Sequence, residues 1–144
     1  MKLKLDLDEL SEDFFRDTRL VGIVAPIKDY QFCWHLNQLI GLDFRINNEL
    51  EIQLSKKGRN YFFAVYEYHE PTTCLSHYLY NNQFDGEYLL PEFKHLDFLW
   101  LMKNDFVSDE SLLRLTQSIR SINGVQLVIE LTNEKIKNKE HLLF

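Results

Sequence analysis

His69, Cys74 and His77 stand at a spacing that metal ligands use, H-x4-C-x2-H. Imidazole and thiolate suit zinc, but a site needs three or four such ligands in one place. No second pair of matching spacing lies nearby. In a strand over Leu75 to Tyr80, alternation would also point Cys74 and Ser76 away from His77. No metal site is expected. Cys33 and His35 pair a thiol with a base, yet residues two apart on a helix do not face each other. A nucleophilic thiol needs a helix N-terminus or a positive neighbour. Cys33 falls in an apolar stripe instead, so a buried structural cysteine is expected. Ser76 and His77 lack the strained Gly-x-Ser-x-Gly turn of a hydrolase nucleophile. Five glycines supply neither a phosphate loop nor Gly-x-Gly-x-x-Gly, and no cofactor is expected.

Lys56, Lys57 and Arg59 form one tight basic cluster beside Gly58. A solvated hairpin tip is the preferred reading over a phosphate contact. Tyr61, Tyr66, Tyr68, Tyr78 and Tyr80 could stack bases as single-strand binders do; without a basic groove, cross-strand packing is preferred. The most distinctive segment is Leu90-Pro91-Glu92-Phe93-Lys94-His95-Leu96-Asp97-Phe98. Its two carboxylates, Glu92 and Asp97, flank a stretch that begins at a fixed proline φ. Paired carboxylates do acid–base chemistry when their surroundings push their pKa values apart. The structural alternative is preferred: Pro91-Glu92 opens a short turn or 3₁₀ helix, and Asp97 ties down backbone where a buried strand begins.

These residues must be positioned by a recognisable set of elements. Leu3, Leu5 and Leu7 alternate with Lys2, Lys4 and Asp6, the pattern of a half-buried strand. Asp8 to Thr18 reads as a loop or short helix. Leu20 to Ala25 is an apolar run buried on both faces and stopped by Pro26. Asp29 is the expected N-cap of a helix ending at Gly41. Phe32, Cys33, Leu36, Leu39 and Ile40 form its apolar stripe, and Tyr30 with Trp34 makes a second, aromatic face. Leu50, Ile52 and Leu54 alternate with polar residues; a turn over Ser55 to Asn60 returns the chain as an aromatic strand, Tyr61 to Tyr68. Further strands are expected at Leu75 to Tyr80, Phe98 to Met102 and Val125 to Leu131, with Asn81 to Gly86 as a turn. Ser108 caps a second helix whose core stripe is Leu112, Leu115, Ile119 and Ile122. Phe98 to Leu131 has the length of a right-handed crossover. Lys135 to Phe144 is a polar tail with an apolar end. The expectation is one α+β domain over 1–144, a mixed, mostly antiparallel sheet with two main helices packed on it.

Composition narrows the function classes. The chain has 144 residues, 45% hydrophobic and 26% charged, which suits one globular domain without disulfide or metal. Sixteen basic against 22 acidic residues leave a net charge of −6, which disfavours nucleic acid and anionic lipid as partners. No apolar run resembles a signal peptide or a membrane span. Cys33 and Cys74 read as free, mostly buried thiols, and the expected location is cytoplasmic. Aromatic residues reach 14%, with 11 Phe, 7 Tyr and 2 Trp, enough for a dense core and a contact surface besides.

The segment Leu90-Pro91-Glu92-x-x-x-Leu96-Asp97-Phe98 resembles the motif of an uncharacterised bacterial family, the IPExxxVDY family, with three conservative departures. The opening Lys2 to Leu7, the stretches Lys28-Asp29-Tyr30 and Cys33-Trp34-His35-Leu36-Asn37, and the ending Lys137 to Phe144 are similar to the same family. Phe98 stands where the family name has Tyr, so a role for that hydroxyl does not carry over. The resemblance implies no activity, since none is established for the family. Its members are often encoded near ribonuclease III and pyruvate kinase, which implies association only. The expected function is a non-catalytic cytosolic binding module that recognises a protein or a small-molecule ligand, self-associating or binding another cytosolic protein, with Tyr30, Trp34, His35, Glu92 and Asp97 as ligand or interface candidates. The alternatives are a small enzyme or ligand-regulated domain using Glu92 and Asp97, and an RNA-processing accessory.

Overall fold

The computed structural model describes residues 18–132 together with Ile136 and Leu142. The predicted strand at Leu3 to Leu7, the acid-rich segment up to residue 17 and the rest of the C-terminal tail lie outside the described residues. The apolar run after Thr18 becomes β1 (Arg19–Val24), whose four inner residues are buried. Asp29–His35 forms α1, which widens into a π-helical turn over Leu36–Ile40. The chain continues through β2 (Arg45–Lys56), β3 (Arg59–His69), β4 (Ser76–Asn81), the two-residue strands β5 (Gln83–Phe84) and β6 (Glu87–Tyr88), and a 3₁₀ turn at Pro91–Phe93. It ends with β7 (Phe98–Lys103), α2 (Asp109–Arg120) and β8 (Leu127–Leu131). This is an α+β domain.

Six strands form one sheet in the order β2-β3-β4-β7-β1-β8. Every pairing in it is antiparallel. β7 and β8 run in the same direction, as the expected crossover requires, but β1 lies between them. The 12-residue α2 and its loops are long enough to step across that strand. Ser108 caps α2 as expected, its Oγ accepting the Ser111 N–H at 3.1 Å.

Alternation within the strands makes two cores. Val21, Ile23, Phe98, Trp100, Met102 and Val128 face Phe32, Cys33 and Leu36 of α1 and Leu112 and Ile119 of α2. Leu20, Phe63, Val65, Tyr78, Tyr80, Leu99 and Leu101 face the other way. Among the described residues, the cover there is Leu89, Leu90 and Leu96 from the segment between β6 and β7, with Ile136 and Leu142. Burial on both faces is why several strands read as apolar runs without alternation.

Four sequence expectations need correction. Asp29 is the first helical residue of α1 rather than its N-cap; that position is Lys28, which makes no side-chain cap. Leu39 is 63% exposed instead of lining the core, because the π turn breaks the 3.6-residue period on which the stripe was drawn. Cys74 is exposed, in the loop before β4. The β2–β3 turn is shorter than Ser55 to Asn60: the ladder runs to Lys56↔Arg59, and Lys57 and Gly58 take positive φ of 52° and 76°, the handedness a two-residue hairpin needs.

Candidate functional site

α1 presents the most conspicuous surface. Tyr30 and Trp34, one helical turn apart, are 58% and 59% exposed. With Gln31 and His35 they line an open depression of about 430 Å³. The helix beneath is held firmly. Asp29 Oδ1 accepts the Tyr30 N–H at 2.9 Å, while Oδ2 accepts from the Tyr66 hydroxyl at 2.9 Å and the Asn81 amide at 3.0 Å. One carboxylate thus ties α1 to β3 and β4. Phe32 stacks on Phe98 at 4.7 Å. Burial, then the Asp29 charge, pushes the Cys33 thiol up to about 12, and burial with the Asp29 hydrogen bond raises the Tyr66 hydroxyl. Neither group is an activated nucleophile. The face offers ring surface, a primary amide and an imidazole edge.

The end of the β3–β4 pair carries two histidines in opposite situations. His77 is buried on the helix side, and the Trp100 indole N–H donates to its Nδ1 at 3.0 Å. Indole nitrogen can only donate, so Nδ1 accepts and the ring proton sits on Nε2, 2.7 Å from Glu70 Oε2. Burial lowers the pKa of His77, against the raising effect of Glu70. Neither nitrogen is left for a metal or a substrate proton. Across the sheet, His69 Nδ1 lies 2.8 Å from Ser76 Oγ and Nε2 3.4 Å from Glu67 Oε2. Asn104 donates to Ser76 Oγ and Asn47 to Glu67 Oε1. Ser, His and Glu follow in the order of a hydrolase triad, but Ser76 is 4% exposed, and the depression at α1 is lined by other residues. Among the described residues, no three of His, Cys, Asp and Glu are grouped to hold a metal ion.

The Leu90–Phe98 segment is built around Asn82, which stands between β4 and β5 within the predicted turn Asn81 to Gly86. Asn82 is fully buried. Its amide donates to the carbonyls of Phe93 and Leu96, both at 2.9 Å, and its Oδ1 accepts the Leu90 N–H at 2.9 Å. Its backbone adds bonds to Asp97 O and from Leu89 N. Asp97 gives its own N–H to Ile23 O and takes the Ala25 N–H on Oδ2 at 2.8 Å. It thereby extends the β1–β7 ladder past the last paired residue. Glu92 stands half-buried in the first turn of the 3₁₀ segment. Leu96 lies over Gly22, where a Cβ would come within 2.4 Å of it; this close approach is the reason for glycine inside β1.

The structure therefore gathers Tyr30, Trp34 and His35 at one depression, and neither Glu92 nor Asp97 lines it. The five tyrosines make no common platform: Tyr66 and Tyr68 pack on the helix side, Tyr61, Tyr78 and Tyr80 on the other. Arg59 of the basic turn is paired with Asp85 and lies over the Tyr61 ring. A second depression, between α2 and the edge strand β8, is about 390 Å³. There Arg19 pairs with Asp109 and Glu130, and Arg120 donates to the Val128 carbonyl at 2.8 Å.

Sequence reasoning missed the Asn82 hub, the Asp29–Tyr66–Asn81 junction and the Glu70–His77–Trp100 chain. An isolated glycine in an apolar strand was a usable signal for the Leu96 contact; nothing local marked the others. No family model matches the chain, and no curated protein is detectably similar to it. Among the described residues, no helix is long and apolar enough to cross a membrane.

Proposed function

We propose that this chain is a non-catalytic cytosolic binding module that works through the outer face of α1, with a second copy of itself as the first partner to test. The observation that carries the reading is the pair of exposed rings, Tyr30 and Trp34, on a helix whose inner side is fastened to the sheet. Aromatic anchors on a rigid support give contact area at small ordering cost. The resemblance to the IPExxxVDY family belongs to the same proposal, with its motif in an architectural role.

An enzyme using Glu92, Asp97 and His35 has less support. Asp97 is engaged with backbone, and His35 lies at a depression that the carboxylates do not line. An RNA-processing role has little support from a turn whose Arg59 is paired with Asp85 in a chain of net charge −6. Light scattering on the purified chain and on Trp34→Ala tests the proposal. A dimer that becomes a monomer in the variant, with far-UV circular dichroism unchanged, is the expected result. A monomer at every concentration would remove self-association.

A further inference from the structure

Trp100 and His77 sit in the helix-side core, and their hydrogen bond admits only one protonation state of the imidazole. The ring is enclosed on several sides. Tyr68 of β3 stacks on it at 5.6 Å, and Trp100 of β7 and Phe44, which precedes β2, meet it edge-on at 5.8 and 6.3 Å. The titratable groups acting on it are Glu70, which follows β3 and is bonded to Nε2, and His69, whose positive form would oppose a second positive charge.

We propose that the Glu70–His77–Trp100 chain is an acid-released latch. A second proton on the imidazole sets two N–H donors face to face at Nδ1. That contact must open, while the bond to Glu70 becomes an ion pair and draws the ring away from Trp100. The indole N–H then loses this acceptor in a fully buried position, which is costly. Trp100 also packs edge-on against Phe44 at 5.0 Å. Asn37, in the π turn that follows α1, clamps Phe44 backbone at both N–H and C=O, at 2.8 and 3.1 Å. The release therefore acts on the segment that ends the aromatic helix. The latch does not depend on the binding role of Tyr30 and Trp34.

The direction with pH follows from linkage. Burial lowers the pKa of folded His77 below its ordinary 6.5, so the unfolded chain takes the proton first. Stability is at its full value above about pH 6.5 and falls as pH drops from there toward the folded pKa.

Long-range ¹H–¹⁵N spectra of the unaltered protein, recorded from about pH 7.5 to about pH 4.5, test the latch. At neutral pH, His77 is expected as the Nε2–H tautomer. Its titration midpoint is expected below 6.5, with the Trp100 indole N–H shifting at the same midpoint and the far-UV signal retained. An Nδ1–H tautomer, a midpoint at or above 6.5, an indole resonance that ignores the titration, or loss of the far-UV signal at the same midpoint would each overturn it. As a second measurement, Trp34→Phe leaves Trp100 as the single indole. Its acid-dependent emission change is expected to vanish when His77→Gln is added, and persistence would assign the change to another group.

Discussion

The segment from Asn82 to Phe98 and the outer face of α1 are both rich in side chains able to meet a ligand, and they use them in opposite ways. In the first, polar atoms turn inward. Asn82 takes up two carbonyls and an N–H, and Asp97 closes the end of β1. In the second, the polar work is done on the inner side by Asp29, and the rings of Tyr30 and Trp34 remain outside. The distinctive sequence motif thus lies where the chain is assembled, and the plainer helix lies where a partner can reach. Unusual residue patterns mark demanding backbone geometry as readily as chemistry.

Substitutions can break this contrast at either end. Asn82→Ala should have the largest effect, since it leaves the buried Leu90 N–H and Leu96 carbonyl without their partner, while the Phe93 carbonyl keeps the Leu96 N–H; a loss of about 3 kcal/mol is expected in urea unfolding. Gly22→Ala follows, because its Cβ would drive Leu96 from its place; overpacking of this kind costs about 2 kcal/mol. Asp97→Asn keeps an acceptor for Ala25 and removes the charge, so about 1 kcal/mol should be lost. If this variant instead leaves stability untouched and abolishes a binding activity, the architectural reading of the motif is wrong. Trp34→Ala should change stability least, by no more than about 0.5 kcal/mol, while removing self-association. A large loss of stability there would mean that the α1 face is part of the fold rather than a surface kept for a partner.

Local rules read the secondary structure well. Period-two alternation over Leu50 to Leu54, the Pro26 stop and the Ser108 cap act over a few residues, and among the described residues a strand and a helix formed where those signals stood. They failed at Leu39, where a π turn altered the helical period, and at Asp29, which starts the helix one position after the cap and whose Oδ2 takes partners 37 and 52 residues away. The candidate site was half legible. Tyr30, Trp34 and His35 share a helix, so their proximity follows from spacing, whereas Glu92 and Asp97 could be placed near or far from them only by tertiary folding.

The sequence by itself determined the α+β class, one helix with two apolar sides, and a strand, Leu20 to Ala25, too apolar to face water on either side. Those properties depend on side-chain type and on periods of 2 and 3.6 residues. Only the tertiary structure decided that β1 would lie between β7 and β8, that Leu89, Leu90 and Leu96 would cover the second face, and that Asn82 would organise the segment they belong to. It also decided which histidine would be held neutral. His69 and His77 are adjacent to the same cross-strand pairs, Tyr68↔His77 and His69↔Ser76. Opposite faces of one sheet left one of them half exposed beside a serine and a carboxylate and gave the other a buried indole donor. Burial and hydrogen-bond partners are properties of the assembled faces, and no local pattern carries them.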